Sequence, residues 1–265
     1  MAKKYKIGLA LSGGGMRGVA HLGVLRVMEE LGLHPDIISG VSSGAIVGSL
    51  YADGQSIDQI KDFFLHASIL KGVTLNMPKH GGLANTKGYK KYLETHLRAK
   101  TFEELRIPLI VNAAEIIYGQ NEYFSSGNLV DAVVASASVP ILFNPKRIDG
   151  KLYVDGGIFC NLPAEILRDD CELVIGVHVN PIVPLPKNTS PGLKNVAERV
   201  FHLAVNGNTI HEKSFCDLVI DMTKNKSVGM FENSKAEEIY KMGYDTALKA
   251  FEEFDFEKYG LPKLL

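Results

Sequence analysis

The chain opens with a short, nearly continuous apolar run, Lys6 to Leu11, bounded by Ser12-Gly13-Gly14-Gly15. A run that short reads as a buried strand. The period then changes. From Met16 to Leu31 apolar residues return at Val19, Leu22, Leu25, Val27-Met28 and Leu31, which is one face of a helix, and Gly32 follows where a helix stop is favoured. Asp36–Ser39 reads as a second strand that runs through Gly40–Gly44 into a helix over Ala45–Tyr51. Further strands are predicted at Leu109–Ala114, Leu152–Val154, Leu173–Val179 and Leu218–Asp221. Helices are predicted at Asp58–Ala67, Tyr89–Leu97, Leu129–Ser136, Leu193–Val205 and Ala236–Phe254. Strand and helix patterns stay mixed from end to end, without a repeat or a linker-like stretch. The expectation is an α/β fold, one domain over residues 1–265, with a mostly parallel sheet covered by helices. Ile182–Pro191, rich in proline, reads as an exposed loop.

Composition narrows the function classes. With 46% hydrophobic and 22% charged residues the chain can bury a core, which excludes disorder. The net charge is −1, from 29 Lys+Arg against 30 Asp+Glu, so no global field draws nucleic acid. Charge is uneven: residues 71–100 hold seven Lys/Arg and one acid, and residues 231–258 hold eight acids and four lysines. Cys160, Cys171 and Cys216 are odd in number and lack metal-ligand spacing, which fits reduced thiols. No run approaches the roughly 18 apolar residues of a membrane span, and Met1-Ala2-Lys3-Lys4 leads into no signal-peptide pattern, so a cytoplasmic location is expected. Glycine is in excess: 26 of 265 residues, eleven of them in the first 54. A local excess marks backbone positions that a side chain would forbid.

Six of those eleven, Gly13, Gly14, Gly15, Gly18, Gly40 and Gly44, fall in two strand-to-helix turns. Gly13, Gly15 and Gly18 satisfy the dinucleotide pattern G-x-G-x-x-G, but that site needs an acid at the end of the next strand, and Asp36 lies at its start. A P-loop lysine is also missing. The other reading is that Gly13, Gly14 and Gly15 present backbone N–H groups at the positive end of a helix, a cradle for an anion or for an oxyanion formed in a transition state. Gly40-Val41-Ser42-Ser43-Gly44 matches G-x-S-x-G between a strand and a helix, the setting of a nucleophile elbow. Ser42 needs a base, and the histidines fit that role poorly. His178 lies in an apolar strand, His202 and His211 on or beside a helix, and His21 four residues after Arg17 on a helix face. Asp155 ends a predicted strand and precedes Gly156-Gly157, where open α/β sheets gather their reactive groups; by itself Asp-Gly-Gly is equally a turn signal.

Taken together, GGGMRG, GVSSG and the later DGG, in this order and 113 residues apart from Ser42 to Asp155, resemble the patatin-like phospholipase family. Ala135-Ser136-Ala137-Ser138-Val139-Pro140 with Phe143 and Pro145, Asn161-Leu162-Pro163, and Gly243-Tyr244 extend the resemblance over most of the chain. It implies a three-layer fold and a serine lipid acyl hydrolase acting on phospholipids or lysophospholipids without a cofactor or metal. Ser42 would be the nucleophile and Asp155 the proton acceptor of a Ser–Asp dyad that forms an acyl-enzyme. Gly13, Gly14 and Gly15 would form the oxyanion hole, with Gly40 and Gly44 shaping the elbow. Arg17 and Gly18 complete the loop, Arg17 bracing it or, in a second role, meeting a phosphate. Ser12 stands where many members carry Asp, a departure expected to touch loop bracing more than chemistry.

The lipid side rests on residues 66–83, where Ile69, Leu70, Val73, Leu75 and Met77 lie close to Lys71, Lys79, Lys87, Lys90 and Lys91. Such a segment could border an acyl site or touch a membrane peripherally, and an ordinary core-covering segment is the competing reading. A nucleotide-binding or non-catalytic lipid-binding module on a related scaffold is the alternative function. Partners are therefore expected to be a lipid or ester substrate and not nucleic acid, and oligomeric state is left open.

Overall fold

In a computed structural model, residues 3–66, 82–84, 86–182, 184–185, 188, 192–222 and 235–263 are described. The first strand, β1 (Tyr5–Leu11), leads through the glycine loop into α1 (Val19–Glu30). Then come β2 (Ile37–Gly40), α2 (Ser43–Ala52), α3 (Ile57–His66), β3 (Gly82–Ala84) and α4 (Lys87–His96). The middle of the chain holds β4 (Leu109–Glu115), β5 (Gln120–Phe124), α5 (Leu129–Ser136), β6 (Ile141–Phe143), β7 (Lys146–Ile148) and β8 (Lys151–Asp155). It ends with α6 (Glu165–Arg168), β9 (Cys171–His178), α7 (Leu193–Lys213), β10 (Leu218–Asp221) and α8 (Ala236–Glu253).

Eight strands form the central sheet in the order β10-β9-β1-β2-β4-β8-β7, with β5 paired to β4, while β3 and β6 pair separately. The five strands from β10 to β4 are parallel; β5, β8 and β7 are joined antiparallel. Alternation along β1 shows why helices cover both faces. Ile7, Leu9 and Leu11 face a large core with α1, α2, α3 and α8, whereas Ala10 faces a second core built from Leu162, Ala164, Leu167 and Val174. The mostly parallel α/β sheet read from the sequence is thus present. On the first face α1 and α8 cross at backbone contact: a Cβ on Gly243 would stand 2.0 Å from the Ala20 carbonyl oxygen.

Differences from the sequence reading have local causes. Gly15–Gly18 forms a 3₁₀ turn and α1 begins at Val19, while Gly32 adopts φ 68° just past its end. β5 escaped because its residues, Gln-Asn-Glu-Tyr-Phe, are exposed or half-buried and carry no apolar alternation. The helix expected over Leu193–Val205 continues to Lys213, through Asn206-Gly207-Asn208, residues that favour turns but here lie in α7. Most of the basic segment at 66–83, residues 67–81, lies outside the described residues, as does much of Ile182–Pro191.

One feature of register decides where the site lies. Along β4, Val111 is flanked by Phe124 of β5 and Gly40 of β2, and two residues on Ala113 is flanked by Glu122 of β5 and Asp155 of β8. β5 occupies one side of β4 from Val111 to Glu115, so β2 and β8 share the other. β2 is parallel to β4 and β8 antiparallel, so they run towards each other and their carboxyl ends meet.

Candidate active site

Ser42 follows the end of β2 and caps α2 with φ 53° and ψ −121°. A positive φ in a serine is a strained elbow conformation that persists only when its surroundings enforce it. Three contacts do so. The Ser42 N–H donates to Ser136 Oγ at 2.8 Å, the Gly44 N–H to the Val41 carbonyl at 2.8 Å and the Ile46 N–H to the Ser42 carbonyl at 3.1 Å. Gly44 is required by crowding: a Cβ there would lie 2.2 Å from the Leu11 carbonyl oxygen, because α2 starts directly against the end of β1. Gly40 faces the same crowding, its Cβ position lying 2.6 Å from the Gly44 oxygen.

Asp155 ends β8 and is 2% exposed. Its N–H donates to the Ser138 carbonyl at 2.9 Å, and its Oδ1 accepts the Gly157 N–H at 2.9 Å. The Ser42 hydroxyl donates to the same carboxylate. Burial raises the Asp155 pKa, the two hydrogen bonds oppose the rise, and the carboxyl is pushed up to about 6. Among the described residues no Lys, Arg or His pairs with it, and no histidine bonds Ser42.

The glycine loop lies against Ser42. The point where a Gly13 Cβ would stand is 3.1 Å from Ser42 Cβ and 2.5 Å from Asn161 Oδ1. Here the structure departs from the expected oxyanion set. The Gly13 N–H donates to the Asn161 carbonyl at 3.3 Å, so it is engaged, whereas the N–H groups of Gly14 and Gly15 meet no acceptor among the described residues. The loop is braced from behind. Ser12 Oγ accepts the Val179 N–H at 2.9 Å, and the Ser12 N–H donates to the Val177 carbonyl at 3.1 Å. Arg17 donates from Nη1 to Asn180 Oδ1, and Gly18 packs with its Cβ position 2.6 Å from Ser43 Cβ.

The histidines serve elsewhere. His21 Nε2 lies 2.9 Å from the Ser12 carbonyl oxygen, which can only accept, so Nε2 carries the proton. Burial drives the His21 pKa down to about 4, so it braces the loop as a neutral imidazole. His178 Nδ1 lies 3.2 Å from Asp221 Oδ1.

Several supporting residues carried no assigned role in the sequence reading. Asn112 Nδ2 donates to the Gly156 and Cys160 carbonyls at 3.2 and 3.1 Å. From α7, Asn208 Nδ2 donates to the Gly157 and Ile158 carbonyls at 2.9 and 3.1 Å, and its Oδ1 accepts the Asn161 N–H at 2.9 Å. These amides pin the turn that carries Asp155. A signal existed for Asn112, a polar residue inside an apolar strand; Asn208 lay beyond the predicted helix end.

A strained serine bonded to a buried aspartate beside free backbone donors is an arrangement suited to nucleophilic acyl transfer. The patatin-like phospholipase family model matches residues 9–168, which contain the glycine loop, Ser42, Asp155 and Asn161 but not the braces at Val177, Val179, Asn180 and Asn208. The chain belongs to the patatin-like phospholipase family. Among curated relatives, it is 34% identical over 175 residues to "Lysophospholipase NTE1" of Cryptococcus neoformans, covering 62% of this chain and 10% of the relative. It is 33% identical over 184 residues to "Patatin-like phospholipase domain-containing protein 7" of Rattus norvegicus, covering 65% of this chain and 13% of the relative. The match therefore spans only about a tenth of the length of these relatives. Among solved structures, VipD from Legionella pneumophila shares the fold at a TM-score of 0.52 and 15% identity, with 94% of this chain and 67% of that chain covered.

Among the described residues no group of three His, Cys, Asp or Glu side chains is placed to hold a metal ion. None of the described helices is long and apolar enough to cross a membrane. The dinucleotide alternative fails on position: the Asp36 carboxylate accepts the Lys6 and Ile7 N–H groups at 2.9 and 2.8 Å, at the opening of β1 and away from the glycine loop.

Proposed function

We propose that this family member is a serine hydrolase of lipid acyl esters that works through a Ser42–Asp155 dyad and an acyl-enzyme. The observation that supports this most is the hydrogen bond from the Ser42 hydroxyl to a buried Asp155 whose pKa is pushed up to about 6. An ordinary aspartate, near 3.9, is a weak base at neutral pH; one near 6 is still ionised there and accepts a proton more readily. Ser42 Oγ attacks the ester carbonyl carbon while Asp155 takes the hydroxyl proton. Gly14 and Gly15 N–H groups receive the negative charge that forms on the carbonyl oxygen. Collapse of the tetrahedral intermediate breaks the ester C–O bond, and Asp155 passes its proton to the departing alcohol. Water then attacks the acyl-Ser42 ester with Asp155 as base, releasing the fatty acid and restoring Ser42. Each correctly placed oxyanion donor is worth about 2.7–4 kcal/mol.

One relative carries the name lysophospholipase, which supports a single-acyl phospholipid as our first choice of substrate for this chain. A fluorophosphonate reagent together with fatty-acid release from lysophosphatidylcholine tests the reading. Wild type is expected to be labelled and active, and Ser42→Ala neither. Labelling or hydrolysis that survives Ser42→Ala would overturn the proposal.

A further inference from the structure

Asn161 belongs to the Asn-Leu-Pro stretch that the dyad leaves unused. Its main chain is fully committed: the N–H donates to Asn208 Oδ1 and the carbonyl accepts from Gly13. Its side chain is different. The residue is 1% exposed, and its Nδ2 is buried without a hydrogen-bond partner. A buried amide donor left unpaired costs about 1–3 kcal/mol, so such a group calls for a reason. The position of the carboxamide offers one. Asn161 Oδ1 lies 2.5 Å from the Gly13 Cβ position, itself 3.1 Å from Ser42 Cβ, and 2.9 Å from the Gly157 Cβ position, itself 3.0 Å from Asp155 Oδ1. The carboxamide is wedged between the glycine loop on the nucleophile's side and the turn on the base's side.

We infer that Asn161 is a further catalytic residue, whose side-chain N–H donates to the oxygen that becomes negatively charged when Ser42 attacks an ester. This role rests on the dyad reading: the Asn161 side-chain donor takes the place of the engaged Gly13 N–H, so that Gly14, Gly15 and Asn161 form the oxyanion set. A donor with no acceptor in the free protein gains its partner only as charge develops, which favours the transition state over the bound ester. Burial of the carboxamide on a main chain held at both groups limits the freedom Asn161 would otherwise lose at that moment.

Asn161→Ala is expected to lower kcat on lysophosphatidylcholine about 100-fold with KM within about twofold, in the range of other side-chain oxyanion donors. Inhibition by an acyl trifluoromethyl ketone, which forms a tetrahedral adduct on serine, is expected to weaken by the same factor. Unchanged kcat, or a fall in kcat with unchanged ketone affinity, overturns the inference. Asn161→Asp keeps the shape and guards against an Ala variant that fails to fold. Its carboxylate cannot donate but its protonated form can, so its activity relative to wild type is expected to recover as pH falls. A ratio that stays flat with pH overturns the inference equally, because a merely structural asparagine predicts no such recovery. Loss of labelling and activity in Ser42→Ala together with fully active Asn161 variants would sink this inference alone, whereas an active Ser42→Ala would sink the dyad.

Discussion

Two strands of the sheet, β8 and β10, each end in an aspartate, and the two carboxyl groups are driven in opposite directions. Burial raises both. At Asp155 only a serine hydroxyl and one backbone N–H oppose it, and the pKa settles at about 6. At Asp221 hydrogen bonds from His178 and Lys213 overcome burial and hold the pKa down to about 2. The residue type and the strand terminus are the same; the presence of a cation beside one of them is what differs. An aspartate becomes a usable base where the fold buries it and withholds positive charge.

Removing the reactive pair tests the contrast most severely. Ser42→Ala is expected to lower fatty-acid release by at least about 10³-fold. Asp155→Asn should cost about 10²–10⁴-fold in kcat, the range of a general base, while Asp221→Asn leaves kcat within about threefold. Comparable losses at the two aspartates would erase the distinction between them. Next comes pH. With Asp155 acting as a base, kcat/KM should fall about tenfold per pH unit below about 6 and level off above it, as measured on lysophosphatidylcholine. A profile flat from pH 5 to 7 would remove Asp155 from the base role.

Stability sharpens the comparison further, with opposite signs at the two sites. The depressed pKa of Asp221 means its pairing stabilises the fold above about pH 4 and that this contribution is lost as pH falls towards 2. Lys213→Met should therefore cost about 1–2 kcal/mol in urea unfolding at pH 7. The raised pKa of Asp155 acts the other way: the folded chain holds that proton longer than the unfolded one, so stability falls as pH rises from about 4 to about 6. Asp155→Asn is expected to raise the unfolding free energy by on the order of 1–2 kcal/mol at pH 8 and to change it little at pH 4. A destabilised Asp155→Asn at pH 8 would contradict a burial-raised carboxyl.

The structure brings Ser42 and Asp155, the two residues of the proposed dyad, into contact through a register that no local pattern encodes. Gly13 illustrates the limit in the other direction. As a member of a triple glycine it was indistinguishable from Gly14 and Gly15; only the Asn161 carbonyl, drawn in from beyond β8, separates it from them. His21, which the sequence places on a helix face, lies fully buried, and its Nε2 also holds the Ser12 carbonyl. Edge strand β5 and the second half of α7 were hidden because half-exposed polar residues carry no period to detect.

Local chemistry was enough to establish the alternation of strands and helices, the mostly parallel sheet and the two glycine turns. Each follows from side-chain period and from where a Cβ cannot fit, properties of neighbours along the chain. Tertiary structure alone decided that β2 and β8 meet end to end along one side of β4, and so that Ser42 touches Asp155. It also decided the carboxyl's altered acidity and the unpaired amide of Asn161. Strand pairing, burial and missing partners depend on groups distant in sequence, and they exist only once the chain has closed around them.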